Sequence, residues 1–204
     1  MDTKDKSKTT ARVIIYLLGM ILLALGITLN TQAGLGASAI VSVPYTVSRG
    51  TGMDFANLTL VTYCALVAAQ FIIKGKNRRW IDLLQIVVSI VFTRFMALFQ
   101  YGIRYQSGFF LTDLLVLVLG ILFTGIGAAM TVDMQLIPNP GDVSSLAERF
   151  GKELGFSKNC FDAFCVVCSL AIGLGTVLSM IGVGRVIYFF NRLAKARLQK
   201  LAGL

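Results

Sequence analysis

Long apolar runs without a charge alternate with short polar stretches along this chain. Val13–Leu29 holds no charged residue, and about 20 apolar residues in a helix cross the ~30 Å hydrocarbon core of a bilayer. Phe55–Ile73 and Leu114–Met130 are also uncharged, and Ile81–Tyr101 has Arg94 inside it. The last apolar region, residues 157–191, is long for one span and tight for two. Between the runs lie the basic stretch 1–12, the segment Thr31–Asp54, the loop KGKNRR at Lys74–Arg79, and LIPNPGDVSSLAERFGKELGF at Leu136–Phe156.

The positive charges decide how the last region divides. Lys and Arg collect on the cytoplasmic side of membrane proteins. With the N-terminus inside and six spans, the inner segments hold Lys4, Lys6, Lys8, Arg12, Lys74, Lys76, Arg78, Arg79, Arg149, Lys152, Lys158, Arg192, Lys195, Arg197 and Lys200, and the outer ones only Arg49 and Arg104. Five spans would leave the basic C-terminus outside. The expected spans are therefore about 13–31, 55–73, 81–101, 113–131, 157–173 and 175–191, with a sharp turn at Gly173-Leu174-Gly175 and basic cytoplasmic tails at 1–12 and 192–204. An N-terminal signal peptide cleaved near Ala37-Ser38-Ala39 is the rival reading; it would destroy the repeat described next.

Sliding the sequence by 101 residues lays Leu35–Phe55 on Leu136–Phe156. Gly19 then meets Gly120, Gly26 meets Gly127, Phe55 meets Phe156 and Cys64 meets Cys165. At an offset of 91 the third and sixth spans align, with Arg94 on Arg185 and Leu98-Phe99 on Phe189-Phe190. Three spans per half make the two halves insert in opposite directions. The expectation is an all-α membrane protein of two inverted three-helix repeats with interrupted or re-entrant segments, a recurrent transporter plan whose site lies at the repeat interface. Glycines at matched places also serve plain close packing of helices.

Composition adds to this. The chain has 204 residues, is 56% hydrophobic and 14% charged, against about 25% charge in soluble domains. The net charge of +9 is accounted for by the positive-inside pattern, so nucleic acid is not an expected partner. The chain has no histidine, which removes the usual metal ligand and neutral-pH acid–base group. Cys64, Cys160, Cys165 and Cys168 lie in apolar runs, and the last three have no fourth metal ligand at suitable spacing. No metal, cofactor or enzymatic motif is expected.

Candidate solute-binding residues follow from polarity inside the membrane. An arginine in a span costs roughly 2.5–3.5 kcal/mol on insertion scales, so Arg94 and Arg185 should face an interior partner or water, or snorkel to an interface. Asn139 and Asp142 sit in Pro138-Asn139-Pro140-Gly141-Asp142, where prolines stop a helix and the aspartate can cap the next one. The segment 142–156 reads either as a capped amphipathic helix at the interface or as a broken element lining a cavity. Ser38, Ser42 and Tyr45 share a helical face with Arg49. Gln85 could hydrogen-bond a solute, and Asp162 is a candidate counter-charge.

Leu35-Gly36-Ala37-Ser38 through Pro44-Tyr45 and Ser48, Gln70, Leu84-Gln85, Pro140-Gly141-Asp142, Lys158 with Phe161-Asp162, and Gly175-Thr176 with Gly184-Arg185 together resemble the YczE/YyaS/YitT family of bacterial membrane proteins. Ala39 departs from it, standing where many members have proline, and the link between the last two spans is short. The resemblance implies a multi-pass protein of the bacterial inner membrane and carries no substrate. The expected function is a transporter or channel for a small solute, of anionic or zwitterionic chemistry on the strength of the arginines. The alternative is a non-transporting partner, regulatory or assembly subunit, acting through 142–156, as a homo-oligomer or with another membrane protein.

Overall fold

A computed structural model describes residues 3–74, 83–105, 108–137, 154–169 and 173–203. Among these residues the chain is all helical: α1 Thr3–Gln32, α2 Ala39–Thr51, α3 Phe55–Lys74, α4 Leu84–Gly102, α5 Phe110–Asp133, α6 Leu154–Ser169 and α7 Leu174–Ala202. Among the described residues, five stretches are long and apolar enough to cross a membrane: Lys8–Gln32, Phe55–Ile72, Leu84–Gly102, Phe110–Asp133 and Leu174–Ala202. α2, with 13 residues, and α6, with 16, rise only about 20 and 24 Å, short of the ~30 Å hydrocarbon core.

Of the turn expected at Gly173-Leu174-Gly175, only Gly173 is outside a helix; Leu174 and Gly175 open the last one. α6 ends at Ser169 and α7 starts after Gly173, whose extended backbone (φ −104, ψ 162) cannot continue a helix. The sixth expected span overlaps α7, which is long enough to cross; the fifth overlaps α6, which is not among the membrane-length helices. α7 also runs on past residue 191, through the basic stretch expected to be a tail, and closes at Gly203 in the left-handed region (φ 72), whose N–H bonds the carbonyls of Gln199 and Lys200.

The polarity of the fold is that of a protein whose solvent is lipid. Ile14, Leu18, Val61, Ile72, Leu98 and Leu115 are exposed, while Thr28, Asn30, Thr59, Gln85, Ser89 and Thr93 are buried. Most buried hydroxyls are satisfied locally. Thr28 donates to Ala24 O at 2.9 Å, Thr59 to Phe55 O at 2.8 Å and Thr93 to Ser89 O at 2.9 Å, so each costs little inside a dry bundle.

The centre of the bundle is the α1–α5 pair. A Cβ on Gly19 would meet Gly127 O at 3.1 Å and Thr131 Cγ2 at 3.1 Å, and one on Gly127 would meet Leu23 N at 2.5 Å and Gly19 O at 2.6 Å. One on Gly26 would meet Thr124 N and Gly120 O, and one on Gly120 would run into Asn30. Position 19 thus lies by 127–131 and position 30 by 120, so the helices run antiparallel with backbones in contact. Only glycine permits that approach. α7 lies beside α5 in the same direction: Gly182 faces Ile121, Gly125 faces Val186 and Lys195 reaches Asp133. α4 packs on α1, and Gln32 Nε2 near the end of α1 donates to Ile103 O just past α4.

α2 is reached by a turn at the end of α1. Gly34 (φ 70) and Gly36 (φ 137) hold conformations that side chains rarely adopt, and together they send the chain onto the start of α7. There Gly175 N–H donates to Leu35 O at 2.7 Å and Ala37 N–H to Thr176 Oγ1 at 3.3 Å. The loop supplies an acceptor for one of the four N–H groups that every helix start leaves unpaired.

Candidate solute seat and the inner polar cluster

Packing sets α2, which carries Ser42, beside α6, which carries Asp162. Ser42, buried on α2, shares its hydroxyl proton between Ala39 O at 2.6 Å and Cys165 O of α6 at 3.2 Å. Asp162 lies one turn before Cys165, so both fall on the same face of α6, and both are buried, as is Ser169 one turn further on. Thr176 and Ser179, one turn apart on α7, are buried as well, and Ser179 Oγ has no partner among the described residues. α2 touches both α6 and α7, and the three helices carry a buried carboxylate and buried hydroxyls. Such a set can donate to and accept from a small polar solute at once.

The other residues are placed differently. Ser38 precedes α2 without a side-chain capping bond. Tyr45 is half-buried, with its ring edge-to-face on Phe55 at 6.1 Å and under the Arg49 guanidinium at 5.8 Å. Pro44 sits inside α2 and is buried. Gln85 is fully buried, and neither atom of its amide has a partner among the described residues. Asn139 and Asp142 lie outside the described residues, as does the expected helix 142–156 up to Leu154, where α6 opens.

The arginines do not line the seat. Arg94 is exposed on α4 and donates to Asn57 Oδ1 near the start of α3 at 3.3 Å. Its long stem carries the charge along the outside of the bundle toward the end of α4, as snorkelling arginines do. Arg185 is exposed on α7, in a shallow depression lined by Met180, Ile181, Gly184 and Tyr188. Those positions all belong to one helix face. Of the expected alternatives, an interior partner, water or snorkelling to an interface, the exposure of both side chains fits the last two.

A second polar cluster, at the end of α5, is one the sequence pattern did not point to. Asp133 has a side chain only 2% exposed and sits 3.8 Å from Lys195 Nζ. Arg12 donates to Met134 O at 3.0 Å, and Tyr16 donates to Ile137 O at 3.3 Å. Asp133 Oδ2 and Asn191 Oδ1 have no partner among the described residues. The cluster ties α1, α5 and α7 together where α5 gives way to the Pro-rich segment. A signal for it was available. The 101-residue offset sets Asp133 on Gln32 and Thr131 on Asn30, so polar groups at matched places close α1 and α5.

Neither a curated protein nor a solved structure matches the chain. A family model does, over residues 10–192, which takes in the seat, the α1–α5 seam and most of the inner cluster. By that match the chain, with its apolar membrane-length helices, belongs to DUF6198, a family of unknown function.

Proposed function

We propose that this protein moves a small polar solute across the membrane, as a transporter or channel built from two inverted repeats. The observation that carries the reading is the reciprocity of the α1–α5 seam. Moving each residue to its 101-offset equivalent turns the Gly26–Thr124 contact into Gly127–Leu23, Gly26–Gly120 into Gly127–Gly19, and Gly120–Asn30 into Gly19–Thr131, and all six contacts are present. Antiparallel packing alone keeps the sum of paired positions constant, so the support lies in the glycines that stand at both ends of the exchange, which a two-fold axis between α1 and α5 accounts for. An axis of that kind in the membrane plane belongs to the inverted-repeat plan of transporters. In this reading α6 completes a sixth membrane segment, both termini face the cytoplasm of a bacterial inner membrane, and the YczE/YyaS/YitT resemblance is one of distant kinship.

The solute is small and zwitterionic or otherwise able both to donate and to accept hydrogen bonds, and it binds at the seat of Ser42 and Asp162. Its anionic part is not held by Arg94 or Arg185, which face outward. The test is a thermal-shift panel of amino acids, carboxylates, nucleosides and simple anions on the purified protein, followed by uptake of any hit into proteoliposomes. A ligand that stabilises the wild type, fails to stabilise Asp162→Asn, and is taken up only by wild-type vesicles supports the proposal. A stabilising ligand that acts equally on Asp162→Asn removes the seat, and no uptake of any hit removes transport.

A further inference from the structure

We infer that the end of α7, packed on the start of α1, is a docking surface for anionic phospholipid headgroups. Length supplies the first part of the argument. α7 has 29 residues, about 43 Å at 1.5 Å per residue, so roughly its last nine residues lie beyond a ~30 Å hydrocarbon core, with Arg192 and Leu193 at its edge. A Cβ on Gly203 would run into the Lys8 side chain, and Ala202 is buried. The overhangs of α1 and α7 therefore leave the bundle at the same end and are held together.

Charge supplies the second. Arg192, Lys195, Arg197 and Lys200 of α7 are exposed, and so is Lys8 of α1. No acidic residue follows Asp162 in the sequence; Asp5 on α1 is flanked by Lys4 and Lys6. Among the described residues, the carboxylate within ion-pair distance of these cations is that of Asp133, against Lys195. Arg192, Arg197 and Lys200 have no ion pair among the described residues.

The apolar residues between the cations select the partner. Leu193 and Leu201 are 65% and 66% exposed, interleaved with the basic side chains. A surface meant for nucleic acid or for water has no use for two leucines there. At a membrane interface leucines and methylene stems sink toward the acyl chains while the cations meet phosphates. The occupant is thus the anionic lipid of the leaflet on the side of the termini, and this inference stands whether or not the protein transports.

The experiment uses the full chain in neutral detergent, titrated with short-chain phosphatidylglycerol or phosphatidylcholine while the thermal midpoint is read. Phosphatidylglycerol is expected to raise the midpoint of the wild type, and phosphatidylcholine to leave it unchanged. Each basic residue near a membrane surface contributes about a factor of five, so Arg192→Gln/Arg197→Gln/Lys200→Gln is expected to weaken the half-saturating concentration on the order of 100-fold. Its lysine-retaining counterpart Arg192→Lys/Arg197→Lys keeps the response, which separates charge from folding. Equal responses of the wild type and the triple glutamine variant overturn the inference. So does an equal response to phosphatidylcholine, or reproduction of the effect by inorganic phosphate at the same concentration.

Discussion

Replacing Gly127 by alanine tests the central seam. The added Cβ would lie 2.5 Å from Leu23 N and 2.6 Å from Gly19 O. Both are backbone atoms and cannot rotate away. Restoring an ordinary 3.4 Å contact requires the α1 and α5 axes to part by about 0.9 Å locally. A gap of that size forfeits a quarter to a half of each dispersion contact across it, at about 0.1–0.2 kcal/mol per atom pair, and helix–helix association in lipid depends on such packing. Alanine in place of a mid-helix glycine returns up to about 1 kcal/mol of helix propensity. Overpacking typically costs about 1–3 kcal/mol, so the net expectation is a loss of about 1–2 kcal/mol. Gly184 is the control: a Cβ there meets nothing within 4 Å, so Gly184→Ala should be neutral or stabilising by up to about 1 kcal/mol. Gly26→Ala, the repeat equivalent, should cost about as much as Gly127→Ala. The double variant should cost less than the sum, because one parting of the helices relieves both clashes. Unfolding of the purified protein in mixed micelles by added anionic detergent measures all four. Gly127→Ala as stable as Gly184→Ala would refute the reasoning.

Three further outcomes are expected. Lys195→Met leaves the buried Asp133 carboxylate with less compensation, so it should lower the thermal midpoint at neutral pH. Asp133→Asn in the same chain should restore it; failure of that rescue would show that the 3.8 Å pair contributes nothing. Gly36→Ala should destabilise strongly and loosen the α2 turn, since φ 137 is closed to alanine and the new Cβ would lie 2.6 Å from Thr176 Oγ1, whereas Gly50→Ala, with nothing within 4 Å, should not; limited proteolysis at 33–38 reads the difference. Tyr105 donates to Asp113 Oδ1 at 2.9 Å, and its phenol is held above the ordinary value of 10.0 by desolvation first, then by that hydrogen bond and the Asp113 charge. A raised phenol pKa favours the neutral folded form, so its contribution is present below about pH 10 and lost as pH rises beyond it. Tyr105→Phe should lower the midpoint at pH 7 and narrow the gap from wild type at pH 10.5; a gap that widens with pH reverses the sign.

The membrane class was legible because hydropathy is local: an uncharged apolar run of about 20 residues matches the thickness of a bilayer and exceeds what a soluble core needs. The break at Gly173 was legible from glycine spacing and from the charge that follows it. The matched glycines Gly19, Gly26, Gly120 and Gly127 could be read from the sequence, though not what they touch. Arg94 and Arg185 show why the site was harder. In a soluble protein, helical periodicity marks the buried face; in lipid both faces of a helix are apolar, so the pattern does not say which side meets the protein. Sequence therefore named two membrane arginines and tertiary packing turned both outward, while the isolated Asp133 at the end of a run came to lie buried between three helices. Ser42 and Asp162 are 120 positions apart in the chain and lie on neighbouring helices because α2 packs on α6. The sequence by itself determined which segments prefer lipid to water. Only the tertiary structure decided which backbones touch, because that depends on complementary surfaces of segments about a hundred residues apart.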